Sequence, residues 1–386
     1  MAPAIAGASG GGDAQQKKDI WSLILEQKKG AGKARGAGDL PDSHVYFVGA
    51  VRGGKSTLVS RFLNPDKEEE PRPGQGLEYT FARRSSAAAI DKKDTAHLWE
   101  LSGGPALSKQ LADGKHAFLP ITAIPTAVVV IVLDLSNPSG VLDTLTCWLN
   151  KTQERLDTCY RLLERKGSKL PEQLRARAKQ RFGSEHEDAD AVQHSGVPIV
   201  IVGAKYDAFM NADPEVRKVM ARTLRYIAHS RGASLIYTGG LGPQPPASSQ
   251  PEEAVRMRAT SKAALNALRT VLNHYVFRTA PLKIVEVDHT RALCIPAGAD
   301  RFREIGRPKG GSSSADLQAG LSEWRAIHTA VFPPPPPEVT EPQWKLDRDK
   351  YAEPEVDSVL MQLQAGDRKA EAEGQEESSK GVPVQR

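Results

Sequence analysis

The sequence predicts an α/β fold in which a mostly parallel sheet carries helices on both faces, and three observations support this. The first is a phosphate-binding loop, Gly49-Ala50-Val51-Arg52-Gly53-Gly54-Lys55-Ser56, which matches G-x-x-x-x-G-K-[ST] directly after an apolar run. The second is a series of short apolar runs that alternate with helical patterns, as βα units do. The third is the run 127–133, in which every residue is apolar, as in a strand buried on both faces.

Composition excludes several classes of protein. The chain has 386 residues and 39% apolar content, enough for one large domain with extensions. Its net charge of +5, from 52 basic and 47 acidic residues, is too small to indicate a nucleic-acid partner. Three scattered cysteines fit neither a disulfide framework nor a metal cluster and favour a reducing compartment. We recognise no secretory signal, and no apolar run approaches the roughly 20 residues of a membrane span, so no membrane insertion is predicted.

The region before the phosphate loop, residues 1–40, is predicted to be mostly disordered because it is rich in glycine, alanine and lysine. A short amphipathic helix over 19–27 is the exception, and Asp19 can cap it. Its apolar stripe consists of Ile20, Trp21, Leu23, Ile24 and Leu25. Two interpretations of this helix stay open, docking on another protein and packing on the chain's own domain.

The predicted α/β domain runs from 41 to 280. Its strands are predicted at 44–48, 77–83, 96–101, 127–133, 198–203 and 234–237. Helical periodicity follows the last two strands, at Val216, Val219, Met220, Leu224 and Ile227 and again at Leu265, Leu268, Leu272, Tyr275 and Val276. The stretch of about 140–196 is predicted to be an inserted helical pair, because leucines recur there at heptad spacing. We interpret the acidic loop Glu185 to Asp190, which follows the pair, as a solvated surface.

Beyond residue 280 the pattern changes. Residues 284–287 and 292–295 predict a hairpin or a pair of strands in a C-terminal extension, 281–332, and not a further βα unit. A short helix is predicted near the end of this extension, from Trp324 to Phe332. A proline run then opens the tail 333–386, whose scattered apolar residues predict a partner-binding segment that ends in disorder.

The phosphate loop predicts a nucleotide site, because such a loop directs its backbone N–H groups at phosphate oxygens. Lys55 adds a positive charge and Ser56 a hydroxyl for Mg²⁺. Thr80, in the second strand, is a candidate second Mg²⁺ ligand, although a threonine in a strand is also explained by structure alone. The residues that would contact a bound nucleotide are Gly49, Gly53, Gly54, Lys55, Ser56, Thr57, Lys205 and Asp207.

Positions that a cycling GTPase needs are altered. The D-x-x-G motif is replaced by Glu100-Leu101-Ser102-Gly103, in which glutamate keeps the charge but is one methylene longer. Gly104 follows and has no side chain to orient an attacking water, so we predict no catalytic residue and little intrinsic hydrolysis. The base motif N-K-x-D reads Ala204-Lys205-Tyr206-Asp207, in which Asp207 can still bind guanine. Two alternatives stay open, static binding of GTP or GDP with Mg²⁺ and an empty site.

Four further segments accompany these motifs: Leu77-Glu78-Tyr79-Thr80-Phe81-Ala82-Arg83-Arg84, Ala96-His97-Leu98-Trp99-Glu100-Leu101, Leu224-Arg225-Tyr226-Ile227-Ala228-His229 and Gly232-Ala233-Ser234-Leu235. Together with the phosphate loop they resemble the light intermediate chains of cytoplasmic dynein 2, the motor of retrograde intraflagellar transport. The resemblance runs from about residue 19 to about residue 357. The Gly/Ala-rich N-terminus, the long proline run and the last residues depart from the pattern.

The resemblance implies a Ras-like P-loop domain that serves as a non-catalytic accessory subunit of the motor. In this reading it binds and stabilises the tail of the dynein 2 heavy chain for retrograde transport and cilium assembly. Other dynein 2 subunits and intraflagellar transport trains are the further partners it implies. The implied locations are the cytoplasm, the cytoskeleton, and the axoneme and basal body of the cilium or flagellum. The residues leave one alternative open, a regulatory small GTPase that switches partners with its GTP or GDP state.

Overall fold

The computed structural model describes residues 41–67, 69–72, 74, 76–85, 93–103, 118–242, 252–308, 317–334 and 358. The strands are β1 Ser43–Gly49, β2 Leu77–Ser85, β3 Lys93–Leu101, β4 Ala127–Asp134, β5 Ile199–Ala204, β6 Ser234–Tyr237 and β7 Cys294–Ile295. The helices are α1 Lys55–Leu63, α2 Val141–Arg165, α3 Leu170–Phe182, α4 Tyr206–Phe209, α5 Pro214–Ser230, α6 Glu252–Phe277, α7 Phe302–Ile305 and α8 Leu317–Val331. Three predictions fall on residues that lie outside the described part of the chain. They concern the helix 19–27, Gly104 and the tail from residue 335 onward, of which only Ser358 is described.

The described strands form one seven-stranded sheet in the order β2-β3-β1-β4-β5-β6-β7. Strands β3, β1, β4, β5 and β6 are parallel, and β2 pairs antiparallel with β3. This mixed order is the topology of a Ras-like domain, and the predicted fold class is confirmed. The central strand β4 is buried along nearly its whole length because branched and other apolar side chains cover both of its faces.

The sheet carries a separate apolar core on each face. On one face, alternate strand residues pack under α2, α5 and α8 in a core that includes Tyr46, Val129, Ile131, Ile201, Leu235 and Trp148. On the other face, the intervening residues pack under α1 and α6 in a core that includes Phe47, Val130, Val132, Val202, Leu268 and Leu272. The period of two along each strand separates the two sets, so both faces of the sheet are covered by helices as predicted.

The two segments predicted to pair after residue 280 meet at one point, where Glu286 and Cys294 exchange antiparallel backbone hydrogen bonds of 2.8 and 2.9 Å. Cys294 and Ile295 form β7, which pairs antiparallel with β6 and extends the main sheet. The first segment contributes only an isolated bridge between Glu286 and Cys294. Leu293, Cys294 and Ile295 are all buried, so this part of the chain packs on the domain in addition to its local pairing with Glu286.

The C-terminal extension also packs on the domain. Helix α8 begins at Leu317, earlier than predicted, and lies against α5. Trp324 is buried in the same core as the sheet, and its indole Nε1–H donates to the Gly306 carbonyl at 3.3 Å. Phe332, one residue after the helix, contacts the ring of Phe209 from α4. Residues 293–332 therefore share their apolar core with the domain wherever they are described.

The acidic loop after the helical pair is only partly solvated. Glu185, Glu187 and Asp190 are exposed, in agreement with the prediction. The prediction is wrong for Asp188, whose Oδ2 accepts the backbone N–H of Phe302 at 3.0 Å and lies 2.8 Å from Nε2 of the buried His229. A carboxylate among neutral donors is stabilised by these hydrogen bonds. The loop thus ties the inserted helices to α5 and α7.

Within the described helices, no segment combines the length and the apolar composition that a membrane crossing requires.

Candidate nucleotide-binding site

The phosphate loop lies between the carboxyl end of β1 and the start of α1. Gly49 has a φ of 138°, and a Cβ there would lie 1.9 Å from the Val132 carbonyl oxygen on β4. Only glycine fits so close to a neighbouring backbone. Gly54 caps α1 with a φ of 90°, in the left-handed region that glycine occupies without strain. These two positions explain why the loop contains glycine where the motif requires it.

Lys55 is folded back onto its own loop. Its Nζ donates to the Ala50 carbonyl at 2.7 Å, and the residue is almost fully buried. Burial lowers the pKa of Lys55, while the charge of Glu100 raises it. The ammonium group, which in this motif contacts the β- and γ-phosphates of a nucleotide, therefore has a hydrogen-bond acceptor within its own loop.

Ser56 and Glu100 are joined by a direct hydrogen bond. The Ser56 hydroxyl donates to Glu100 Oε1 at 2.6 Å. Burial raises the pKa of Glu100, and the Ser56 hydrogen bond and Lys55 oppose that rise. The longer glutamate side chain thus reaches the hydroxyl that the motif provides for Mg²⁺. A hydroxyl and a carboxylate are both oxygen ligands that Mg²⁺ accepts, so the pair fits a metal ion if the contact opens.

Thr80 stays within the pairing of β2, where it lies opposite Leu98 of β3. Glu78, two residues before it, is the register partner of Glu100. The spacing along a strand of about 3.3 Å per residue separates Thr80 from the level of the Ser56–Glu100 contact. The structure therefore brings Ser56 and Glu100 together, and it keeps Thr80 in a strand position apart from them.

The base motif lies beside the phosphate loop. A Cβ added to Gly54 would be 3.9 Å from the Cβ of Ala204, the residue that replaces asparagine. Lys205 has a φ of 58°, and its Nζ donates to Asp134 Oδ2 at 2.6 Å. Asp207 Oδ1 accepts the backbone N–H of Gly240 at 2.7 Å. Both charged residues of the motif are thus engaged within the protein.

Asp134 is a site residue that sequence reasoning missed. It ends β4, and its Oδ1 also accepts from the backbone N–H of Ser136 at 3.0 Å. The available signal was its position, because the carboxyl ends of adjacent parallel strands meet at one edge of a sheet. An aspartate at the end of a buried strand next to the base motif is therefore a predictable partner for Lys205.

A second cluster of possible metal ligands lies outside this site. Single ligand atoms of His186, Asp188 and His229 lie within 4.8 Å of one another. Both ring nitrogens of His186 are already bonded, since Nε2 donates to the Asp300 carbonyl at 2.9 Å and Nδ1 accepts from Asp188 N–H at 3.1 Å. Burial lowers the pKa of His229, against the opposing effect of Asp188. Hydrogen bonding within the protein accounts for this cluster without a metal ion.

Comparison with known proteins adds a family assignment to this geometry. A family model described as dynein light intermediate chain matches residues 15–198. The chain is 32% identical over 352 residues to cytoplasmic dynein 2 light intermediate chain 1 of Bos taurus, covering 89% of this chain and 92% of that protein. The protein of the same name from Homo sapiens matches with the same identity and coverage. Cytoplasmic dynein 1 light intermediate chain 1 of Rattus norvegicus is 25% identical over 343 residues, covering 79% and 59%.

A solved structure is also similar. The crystal structure of the dynein light intermediate chain's conserved domain matches with a TM-score of 0.46 and 19% identity, covering 82% of this chain and all of that one.

Proposed function

Because this chain belongs to the dynein light intermediate chain family, whose members are motor accessory subunits, we propose that it binds and stabilises the tail of the dynein 2 heavy chain for retrograde intraflagellar transport and cilium assembly. Intraflagellar transport trains and the other dynein 2 subunits are its further proposed partners. Its proposed sites of action are the cytoplasm, the axoneme and the basal body. In this proposal the protein is a scaffold without catalytic turnover.

The observation that carries the proposal is an exposed apolar stripe on an edge strand. Leu77, Tyr79 and Phe81 lie on one face of β2 and are 43%, 50% and 47% exposed. Large side chains of this kind are normally buried, and a contiguous set at the surface is typical of a protein interface. Among the described strands β2 pairs only with β3, so its outer edge is also free to accept a partner segment.

The stripe rests on a rigid aromatic base. The Tyr79 ring lies 4.7 Å from Trp99 on β3, and its hydroxyl is 2.8 Å from Nδ1 of His97. Arg83 stacks over Phe81 at 4.9 Å, which places a positive charge at one end of the stripe. Rigid aromatic anchors lose little conformational entropy on binding. These contacts support a preformed docking surface for the heavy chain.

The nucleotide site supports a scaffold over a switch. Lys55 and Ser56 donate hydrogen bonds to Ala50 and Glu100, and Lys205 donates one to Asp134, so each of these side chains has a partner within the protein. We propose that heavy-chain binding does not depend on nucleotide at this loop. GTP or GDP with Mg²⁺, where bound, would be held by Gly53, Gly54, Lys55, Ser56 and Thr57 with Lys205 and Asp207 at the base, and would be retained without cycling.

The test is co-purification of the dynein 2 heavy chain with tagged variants of this chain from ciliated cells. Tyr79→Ser combined with Phe81→Ser should reduce heavy-chain recovery by about tenfold or more, since anchors of this kind each contribute about 2 kcal/mol to binding. The matched control is Ile284→Ser with Val285→Ser, which removes exposed apolar side chains from another surface and should leave recovery unchanged. Normal recovery with the β2 variant would reject the docking surface.

The Lys55→Ala variant distinguishes the scaffold hypothesis from the alternative hypothesis of a regulatory GTPase. The scaffold predicts full heavy-chain recovery with this variant, because its assembly needs no bound phosphate. Loss of recovery, together with exchangeable GTP or GDP released on denaturation of the wild-type protein, would favour a nucleotide-dependent switch.

A further inference from the structure

A basic cavity lies at the opposite end of the sheet from the phosphate loop. Its volume is about 490 Å³, within the range of roughly 300–1,000 Å³ that is usual for small-ligand sites. Ser43 at the start of β1 and Ala127 at the start of β4 form its floor, and α3 and the end of α6 form its walls. The length of β1 separates this cavity from the phosphate loop by roughly 20 Å.

The charges of this basic cavity all have one sign. Arg177 and Arg181 enter from α3, and Arg278 enters from the residue that follows α6. His274, on the last turn of α6, also lines the cavity, and its Nδ1 donates to the Thr279 carbonyl at 2.6 Å. None of the described residues that line the cavity is acidic. Three guanidinium groups therefore face a common space without a carboxylate among them.

Most of the hydrogen-bonding capacity of these arginines is unused. Within the described part of the chain, the side chains of Arg177 and Arg278 make no hydrogen bond or ion pair. Arg181 donates from one nitrogen, Nη2, to the Gly196 carbonyl at 3.1 Å. The other N–H groups of its five remain available to a ligand in the cavity. The Ser43 and Thr126 hydroxyls donate to backbone carbonyls and do not neutralise the charge.

The dipole of α6 does not account for the arrangement. A helix C-terminus carries about −0.5 elementary charge, which favours one cation such as Arg278 near its end. Arg177 and Arg181 come from a different helix and lie four residues apart, a spacing at which like charges repel and reduce helix stability. An additional negative charge in the cavity would offset this repulsion.

We propose that the basic cavity is a binding site for a phosphate-type oxyanion, held by Arg177, Arg181 and Arg278. Guanidinium groups match the geometry of phosphate oxygens and bind them through two parallel hydrogen bonds. The phosphate can belong to a phosphorylated side chain of a partner protein or to a free phosphate compound, since both present the same oxygens. The site is independent of the phosphate loop.

Isothermal titration of the full-length chain with inorganic pyrophosphate at constant ionic strength tests this proposal. The double variant Arg177→Gln, Arg278→Gln should raise the Kd by at least about tenfold, because each charge-assisted hydrogen bond contributes about 1.5–3 kcal/mol. The matched control is the double variant Arg165→Gln, Lys166→Gln, which also removes two exposed positive charges, at the end of α2, and should leave the Kd unchanged. Both arginines of the double variant are exposed, so the fold should be retained.

Lys55→Ala distinguishes the two possible phosphate sites. Pyrophosphate binding that persists in Lys55→Ala and weakens in the Arg177→Gln, Arg278→Gln variant would assign the ligand to the basic cavity. Binding that is lost in Lys55→Ala and unchanged in the double variant would assign it to the phosphate loop and overturn the proposal. Absence of binding to the wild-type chain would overturn it as well.

A second titration identifies the source of the phosphate. End-blocked phosphoserine is compared with inorganic phosphate, since each carries a single phosphate group. Tighter binding of phosphoserine would indicate a phosphorylated protein segment, and equal or weaker binding would indicate a free phosphate compound.

Discussion

At the scale of single residues, the nucleotide site is built from contacts that the protein makes with itself. The Lys55 ammonium bonds the Ala50 carbonyl, and the Ser56 hydroxyl bonds Glu100, at 2.7 and 2.6 Å. Replacement of aspartate by glutamate at position 100 extends the carboxylate far enough to make the second contact.

Gly49 is the residue of the loop that tolerates least change. Gly49→Ala should destabilise the protein by several kcal/mol, because the new Cβ would lie 1.9 Å from the Val132 carbonyl oxygen. This oxygen belongs to the backbone of β4 and cannot move aside as the end of a flexible side chain can. Gly76→Ala is the matched control, since φ is also positive there, 72°, but no atom lies within 4 Å of the added Cβ. It should cost only about 1–2 kcal/mol. Urea unfolding measures both, and equal losses would contradict the steric explanation.

The buried ion pair between Arg225 and Asp300 gives a second prediction. Arg225 donates to both carboxylate oxygens of Asp300, at 2.7 and 2.8 Å, and both side chains are buried. Asp300→Ala should lower the free energy of unfolding by about 3–5 kcal/mol, because it leaves a buried guanidinium without its partner.

The control for Asp300→Ala is an exposed pair. Lys218 and Glu215 are bonded at 3.0 Å on the surface of α5. Glu215→Ala should cost less than about 1 kcal/mol, because solvent screens an exposed pair. Both variants are measured by chemical denaturation. Comparable losses of unfolding free energy would show that burial of the Arg225–Asp300 pair does not determine how much the pair stabilises the protein.

At the scale of elements, the C-terminal extension is bound to the domain by α8. This helix places Trp324 into the core that also holds α5, although it begins 22 residues after the end of β7 in the sequence. Its apolar positions do not have a core of their own to fill. The extension therefore depends on the domain for its fold.

Trp324→Ala tests this dependence. The variant should lose about 3–5 kcal/mol of stability, the usual cost of removing a buried aromatic side chain. Val331→Ala on the same helix removes a side chain that is 37% exposed and should cost far less. A single cooperative urea transition that moves to lower concentration in Trp324→Ala would support one folding unit. A separate early transition confined to the extension would contradict it.

At the scale of the whole molecule, the buried His328 of α8 contributes to the pH dependence of stability. Burial lowers the pKa of His328 to about 4, and its Nε2 has no hydrogen-bond partner among the described residues. In the unfolded chain the pKa returns to about 6.5. The unfolded state then binds the proton more tightly than the folded state. The contribution of His328 to the free energy of unfolding is therefore fully present above pH 6.5 and is lost as the pH decreases towards 4.

Protonation of His328 should lower the free energy of unfolding by about 3 kcal/mol over that pH interval, at about 1.36 kcal/mol for each pKa unit. Urea titrations of the wild type and of His328→Gln at pH 7 and pH 4 measure it. The wild type should lose about 3 kcal/mol more than the variant between the two pH values. Equal losses would mean that His328 is protonated to the same extent in the folded and unfolded states.

Much of the fold was predictable because it depends on local patterns. A buried strand such as β4 is continuously apolar, and a phosphate loop has a fixed spacing of glycine, lysine and serine, so both can be recognised within a few residues. The alternation of strands and helices then restricts the sheet to a mostly parallel arrangement. These local features predict the fold class and the positions of six of the strands.

Tertiary structure alone decided the features that join distant parts of the chain. The pairing of Cys294 and Ile295 with β6, the bond between Lys205 and Asp134, and the contact of Ser56 with Glu100 each depend on a partner far away in sequence. A two-residue strand has no periodicity to detect, and an ion pair is determined by which strand ends are neighbours. The sequence by itself thus determined the elements and the loop chemistry, whereas packing of the sheet determined which side chains meet, because proximity in space is set by topology and not by spacing.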